Sequence, residues 1–343
     1  MAGQDDRLLE VHENVPPPGW DSAIEEGGGL IFHTRTWARH KCHNAAGEPL
    51  FFVWREAGAG EVVGRALATR RPPRSTKAGR VVGRLVFDAA PLTAASDVDF
   101  ASPVGRWAKR QRALVEVALG SFDSPGAWAP RWVPGAAPRL EYVLPLSDEE
   151  TFKAGVRRLV RRKVKRATET GVEVQRTRDE EHVRAFTRLW ARSNQRLSET
   201  KGLPESSVDL DVFADSLRGL LAGEECRLYM AFAQEGPQAG WLFATYPAGA
   251  YSIYTGATDT ARDSGAAFLS LFNALDDLRK AGVPQANLGG APADAGEPES
   301  PDHGLHQFKT RFGAEPVSRV SGRLVPRPLR ARLVKQAQRM VSR

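Results

Sequence analysis

The chain has 343 residues, of which 41% are hydrophobic and 26% are charged, and its formal net charge is +7. These values are typical of a soluble globular protein long enough to form two domains. No run approaches 18 apolar residues, so no membrane span is expected. The polar and acidic first eleven residues lack a signal-peptide pattern, and we therefore expect a cytoplasmic protein. The two cysteines, Cys42 and Cys226, cannot form a disulfide framework and lack metal-ligand spacing.

Residues 1–146 are predicted to form an α/β domain. Strands are expected over residues 49–55, 61–68, 81–87, 113–119 and 139–146, with a helix over roughly 103–111. Four prolines within residues 124–138 predict an irregular loop. Trp37 lies in a short helical stretch and is either a core aromatic residue or part of a binding site. The nearby histidines, His33, His40 and His43, lack the spacing of a zinc site, so no metal is predicted.

A strongly basic helix is predicted over residues 147–170. Ser147 and Glu150 form a capping box at its start, and Gly171 ends it. Its polar face carries eight cations, with no acidic residue between Lys153 and Thr168. Like charges repel one another, and a phosphate backbone would relieve that repulsion. We therefore predict RNA binding by five of these residues, with a solvated or ion-paired face as the alternative: Arg158, Arg161, Arg162, Lys165 and Arg166.

The second half continues with helices over residues 179–194 and 212–221 and strands over 226–232 and 239–246. A βαβ unit follows, in which a strand at 251–255 is joined by small residues to a helix with apolar residues on one face. The next strand, residues 285–288, runs into Gly289 and Gly290. Free backbone N–H groups at the start of the helix can hold an anion. The tail, residues 321–343, is basic, which suggests either an RNA contact or a solvated helix.

The segment Arg262-x-x-Gly265-x-Ala267, after a strand, resembles the pyrophosphate loop of the GNAT superfamily of acyltransferases. The strand–helix–strand order, followed by Gly-Gly and then FKTRFG at residues 308–313, resembles more narrowly the Fem-type aminoacyltransferases, which use aminoacyl-tRNA as donor. This resemblance implies an α/β fold of two GNAT-like lobes, each a mixed β-sheet flanked by helices. Residues 1–146 would form an acceptor-binding lobe, residues 147–320 a donor lobe, and residues 321–343 a basic tail. The alternative for Gly265 is a packing glycine of an ordinary α/β domain.

The resemblance also implies roles for individual residues. Lys309 would face the reacting ester or its oxyanion, with Phe308 and Tyr254 beside it. The donor would be held by Arg262, Ser264, Gly265, Ala266 and Ala267. Substrate contacts are expected from Arg35, Trp37, Asn287 and His306, the last of which is also a candidate base.

The predicted reaction transfers an aminoacyl group from aminoacyl-tRNA to an amine of a peptide-like or small-molecule acceptor, without a required cofactor. One alternative is an acyl-CoA-dependent N-acetyltransferase on the same fold, which the Arg262 to Ala267 loop favours. Another is a non-catalytic RNA-binding or membrane-surface-binding relative.

Overall fold

The computed structural model describes residues 8–45, 47–56, 58, 60–71, 83–93, 99–111, 114–119, 136–202, 208–326 and 328–329. The chain divides into two compact units. Unit 1 comprises Met1–Arg139 and Ser318–Arg343, and unit 2 comprises Leu140–Val317. Within the described ranges, no helix is long and apolar enough to cross a membrane.

The chain contains both helices and strands, intermixed along its length, as the sequence predicts for an α/β protein. The helices are α1 (Trp20–Glu26), α2 (Arg35–Ala45), α3 (Ala101–Arg110), α4 (Glu149–Gly155), α5 (Arg158–Glu169), α6 (Glu180–Thr200), α7 (Leu210–Leu221), α8 (Ala261–Ser264), α9 (Ala266–Lys280) and α10 (His303–Thr310). The strands are β1 (Leu8–Glu13), β2 (Glu48–Arg55), β3 (Val62–Arg71), β4 (Gly83–Phe87), β5 (Leu114–Leu119), β6 (Ala137–Pro145), β7 (Glu173–Thr177), β8 (Cys226–Ala233), β9 (Gly236–Tyr246), β10 (Gly249–Ala257), β11 (Gln285–Pro292) and β12 (Glu315–Leu324). A 3-10 turn covers Ile31–His33.

Unit 1 contains a mixed sheet in the order β1-β2-β3-β4-β5-β12. β4 and β5 are parallel, whereas the other neighbours are antiparallel. Its core follows from the alternation of side chains along β2, because Leu50, Phe52 and Trp54 share one face of the strand. Phe52 lies 4.9 Å from Phe87, and Trp54 lies edge-on to Phe100 at 5.2 Å, between ring centroids. These rings join the sheet to α3 in one buried cluster.

Unit 2 contains a mixed sheet in the order β6-β11-β10-β9-β8-β7. β10 and β11 are parallel, and β7 to β10 form successive antiparallel pairs. The predicted apolar face of α9 is confirmed, because Phe268, Leu271, Leu275 and Leu278 are all buried. They share the main core of the unit with alternate residues of β6 and β11, and α9 lies over β8 and β9. The predicted α/β class with mixed sheets is therefore correct.

The prediction of one helix over residues 147–170 is wrong, because two helices meet at a break over Val156 and Arg157. The cap is also Asp148 rather than Ser147, since its carboxylate accepts a hydrogen bond from the Thr151 N–H at 2.7 Å. At the break, the Arg157 N–H donates to the Arg311 carbonyl at 2.9 Å. A tertiary contact thus replaces the helical hydrogen bond.

The structure also contains elements that the sequence did not indicate. β1 and α1 precede the first predicted strand, and β12 includes residues assigned to the basic tail. The loop was predicted over residues 124–138, but β6 already begins at Ala137, and the loop up to residue 135 lies outside the described residues. The tail beyond residue 329 also lies outside them.

Candidate active site

The carboxyl ends of β10 and β11 separate and create an opening in the sheet of unit 2. These parallel strands pair only at Ala250 with Ala286 and at Tyr251 with Asn287, although they continue to Ala257 and Pro292. β10 also shifts its register against β9 between Ser252 and Tyr254. In open α/β sheets, ligands enter beyond the carboxyl ends of the strands. This opening is therefore the natural place for a substrate.

Lys309 lies at this opening, in the last turn of α10. Its side chain is buried, and its Nζ donates hydrogen bonds to the carbonyls of Gly289 at 2.9 Å and Gly290 at 3.1 Å. The ammonium also lies 4.9 Å from the centre of the Tyr142 ring, within range of a cation–π interaction. Because a buried ammonium is costly without such partners, these contacts fix a positive charge where β11 leaves the sheet.

The aromatic residues around Lys309 form a rigid frame. Phe308 stacks nearly parallel to Trp241, at a centroid distance of 6.0 Å and an angle of 4°. Phe312 is fully buried against Phe268, which also contacts Phe308 at 5.1 Å. The FKTRFG segment is thus held from both sides of Lys309, and this limits its freedom to move.

The predicted donor loop forms the turn between α8 and α9. Gly265 has a φ of 87° and provides no side-chain cap to α9. A Cβ atom there would lie 2.5 Å from the carbonyl oxygen of Lys163 in α5. The Ala266 N–H donates to Ser264 Oγ at 3.3 Å. The start of α9 can hold an anion through its N–H groups and dipole, and Gly265 is also a packing glycine. The side chain of Arg262 lies outside the described residues.

A groove of about 640 Å³ extends from this turn to α10. Its walls come from α6, β9, the end of β10, the turn before α9 and α10. They include two of the predicted site residues, Ala267 and Phe308, as well as Trp241. The volume is in the range of small-molecule and cofactor sites.

Four of the five charged side chains on the groove walls, those of Arg196, Lys201, Asp259 and Asp302, form ion pairs. Asp259 forms ion pairs with Arg196 and, at 2.6 Å, with Arg192. The hydrogen bond from Arg196 is the main cause that lowers the pKa of Asp259, with Arg192 adding to it. Lys201 bonds both carboxylate oxygens of Asp302 at 3.0 Å. The groove therefore presents fixed dipoles and ion pairs to a ligand.

α5 packs against the donor turn through Lys163 and Ala167, and its basic residues lie on its exposed face. The five residues predicted to bind RNA are all exposed: Arg158, Arg161, Arg162, Lys165 and Arg166. The helix is anchored to the turn, because Lys163 Nζ donates to the Asp263 carbonyl at 3.2 Å. The cations are not wholly unopposed, since Lys165 lies 3.7 Å from Glu169.

Three other predicted residues lie near the opening without facing the groove. Tyr254 lies within β10 and packs edge-on against Phe213 at 5.2 Å. Asn287 is buried and bonds Glu141 and the Gly289 N–H. His306 Nδ1 lies 3.0 Å from the Tyr142 hydroxyl, whose pKa is raised by burial and by Asp302. Their substrate roles stay predictions.

Arg35 and Trp37 belong to unit 1. Arg35 is exposed and forms an ion pair with Asp21 at 2.6 Å. Trp37 is buried, and its Nε1 donates to Asp88 at 2.8 Å. These contacts explain how both residues are held, and their role in acceptor binding stays a prediction.

Sequence reasoning missed Glu141, Tyr142 and Trp241. Glu141 had a visible signal, because it is a single acidic residue inside the apolar strand LEYVLPL. Within the described part of the chain, no group of three or more His, Cys, Asp or Glu residues could hold a metal ion.

Comparison with known proteins shows similarity to acyltransferases. Residues 154–300 match the family model of the acetyltransferase (GNAT) domain. No curated protein matches the sequence. Among solved structures, FemX has a TM-score of 0.66 and 14% identity, over 93% of this chain and 98% of that chain.

Two further solved structures share the fold. L-PGS from Bacillus licheniformis has a TM-score of 0.54 and 14% identity, over 96% of this chain and 98% of that chain. A tandem GNAT protein from the clavulanic acid biosynthesis pathway has a TM-score of 0.56 and 14% identity, over 94% and 99%. At such identity the likeness concerns the fold, and it confirms the GNAT and Fem-like resemblance. Residues 154–300 are therefore similar to the acetyltransferase (GNAT) domain, and this similarity supports an acyltransferase activity for this chain.

Proposed function

We propose that this protein transfers an aminoacyl group from aminoacyl-tRNA to an amine of a peptide-like or small-molecule acceptor, and so forms an amide bond. The observation that carries the proposal is the exposed basic face of α5, the helix that packs against the donor turn. An acyl-CoA donor presents only a diphosphate and a 3′-phosphate, whereas five exposed cations along a helix suit a longer polyanion.

The position of α5 supports the proposal. α5 is tied to the donor turn through Lys163 and through the close approach of Gly265 to the same backbone. RNA bound along α5 would therefore bring its aminoacylated end towards the groove. The helix has 12 residues and is about 18 Å long, so several phosphates can lie along it.

Lys309 supplies the electrostatic part of the proposed mechanism. The acceptor amine attacks the ester carbonyl, a C–N bond forms, and the carbonyl oxygen gains negative charge. The ammonium of Lys309 stabilises that oxyanion, and loss of one such donor commonly lowers kcat by about 10²–10³. The C–O bond then breaks, and the proton lost by the amine ends on the tRNA hydroxyl that leaves.

Filter binding of an aminoacyl-tRNA pool to the purified full chain tests the donor. We expect retention that weakens with salt, and at least a 100-fold loss of affinity when Arg158, Arg161 and Arg162 are changed to Glu. The slope of log K against log salt should fall by about 2 to 3, because each cation accounts for about 0.7 to 0.9.

A control variant changes Arg184, Arg188 and Arg218, three exposed arginines of α6 and α7, to Glu. It has the same net charge as the α5 variant and should keep most of the tRNA affinity. Binding that is equally weakened in both variants, or unchanged by the α5 reversal, would contradict the proposal.

An acyl-CoA-dependent N-acyltransferase is a second candidate. It is favoured by the uncapped start of α9 after Gly265 and by the match to an acetyltransferase domain. A ligand at 100 times its Kd stabilises a protein by about 2.7 kcal/mol, which a thermal-shift assay detects. Stabilisation by acetyl-CoA without retention of tRNA would establish this alternative and leave α5 as a solvated face.

A further inference from the structure

Glu141 is a fully buried carboxylate that the reaction outlined above does not use. It lies in β6 between two apolar positions, Leu140 and Tyr142. Burial of a charged group is costly unless hydrogen bonds and opposite charge compensate for it. Its Oε2 accepts a hydrogen bond from Asn287 Nδ2 at 2.8 Å, and its Oε1 accepts one from the Tyr251 hydroxyl at 3.3 Å.

A chain of hydrogen bonds leads from this carboxylate to the ammonium of Lys309. The other end of the Asn287 side chain, Oδ1, accepts from the Gly289 N–H at 2.8 Å. The carbonyl of the same glycine accepts from Lys309 Nζ at 2.9 Å. Every donor in the chain points towards the carboxylate, and the backbone of Gly289 joins the Asn287 hydrogen bond to the Lys309 hydrogen bond.

This series of hydrogen bonds fixes the backbone at Gly289. Its φ of 80° is in the left-handed region, so its carbonyl turns away from the direction expected in a regular strand. Asn287 holds the N–H side of that residue, and Lys309 holds the carbonyl side. Glu141 and Tyr142 are neighbours in β6, so their side chains point to opposite faces of the sheet. Because Lys309 lies against the Tyr142 ring, Glu141 and Lys309 are on opposite faces.

We infer that Glu141, acting through Asn287, is a positioning residue for Lys309. It sets the direction of the Gly289 carbonyl, which holds the ammonium, and supplies the buried negative charge that balances it. This role is the same for an aminoacyl-tRNA donor and for an acyl-CoA donor, because it concerns the position of Lys309 and not the groove that would hold the donor.

A double-mutant cycle of Glu141→Gln and Lys309→Met in the full chain tests the inference. Glutamine keeps the shape and both hydrogen bonds, since its oxygen can accept from Asn287 and its amide can donate to the Tyr251 hydroxyl. Hydrogen exchange, read on peptides covering β11 and α10, gives the opening equilibrium constant of each variant. No substrate is needed.

Each single variant should raise the opening constant, because it removes one end of the hydrogen-bond chain that joins the carboxylate to the ammonium. The double variant should open at least threefold less than the product of the two single effects. A coupling below threefold would overturn the inference. The exposed Glu181 is the matched control, and Glu181→Gln should be additive with Lys309→Met.

If Glu141→Gln alone fails to fold, the double variant decides. Recovery of folded protein on adding Lys309→Met would support the inference, since a purely structural role of Glu141 would not depend on Lys309. Failure of the double variant to fold, while Lys309→Met alone folds, would overturn it.

Discussion

Replacement of Gly265 by alanine should separate the donor turn from the basic helix. Two costs add at this position. Its φ of 87° is left-handed, which costs a residue with a Cβ about 1–2 kcal/mol. The new Cβ would also lie 2.5 Å from the Lys163 carbonyl, a separation that Cβ atoms do not adopt. Overpacking against backbone costs about 1–3 kcal/mol, so we expect a total destabilisation of about 2–5 kcal/mol.

Two other glycines separate the backbone cost from the steric cost, and a third is a control that has neither. Gly282 has a φ of 77° with nothing within 4 Å of a new Cβ, so Gly282→Ala measures the backbone cost alone. A Cβ at Gly256 would lie 2.5 Å from the Trp190 backbone nitrogen, and Gly256→Ala measures the clash without positive φ. Gly219 lies in α7 with open space around it, so Gly219→Ala should stabilise the helix by up to about 1 kcal/mol.

Urea unfolding gives the stability of each variant, and hydrogen exchange of α5 peptides shows whether that helix is loosened. We expect Gly265→Ala to be the least stable of the four, to open α5, and to weaken donor binding more than Gly282→Ala does. A Gly265→Ala variant as stable as Gly282→Ala would refute the claim that Gly265 sets the approach of α5.

Lys309→Met should lower kcat by about 10²–10³ while donor affinity changes by less than about threefold. Steady-state kinetics measures the first quantity and filter binding the second. Full activity of this variant would contradict the proposed role of Lys309 and favour a protein that only binds. Burial lowers the pKa of His33 from its ordinary 6.5, so the unfolded chain binds more protons than the folded one as pH falls below 6.5. In urea titrations, the free energy of unfolding of unit 1 should therefore be highest above pH 6.5 and decrease towards pH 5. His33→Gln should make this free energy depend less on pH. An equal slope of the free energy against pH in both proteins would argue against this assignment.

Local patterns predicted the parts of the fold that depend on sequence neighbours. The spacing of Phe268, Leu271, Leu275 and Leu278 predicted α9 and its buried face, because that periodicity leaves few other ways to cover the side chains. The Gly265 turn and the FKTRFG segment were recognised by their resemblance to the GNAT and Fem-type patterns. That resemblance also singled out Lys309, whose role stays a prediction.

The missed features depend on contacts between distant residues. The break after α4 arises because Arg157 bonds Arg311 and because Gly155 lies against Gly313, neither of which is visible in residues 147–170. Glu141 reads as one polar residue in a strand until Asn287 and Tyr251 are placed next to it. Asp148 and Ser147 are both good caps, and only the observed turn distinguishes them.

The position of β12 has a consequence for how the protein folds during synthesis. In unit 1, Gly322 of β12 pairs with Leu119 of β5, and the whole of unit 2 is translated between them. Until β12 emerges from the ribosome, β5 keeps an unpaired edge, the kind of surface on which aggregation begins. Unit 2 is continuous, so β6 to β11 can pair with one another before β12 is made. The unit that is synthesised first is thus the last to close, and its yield depends on how well the nascent chain protects β5 in the interval.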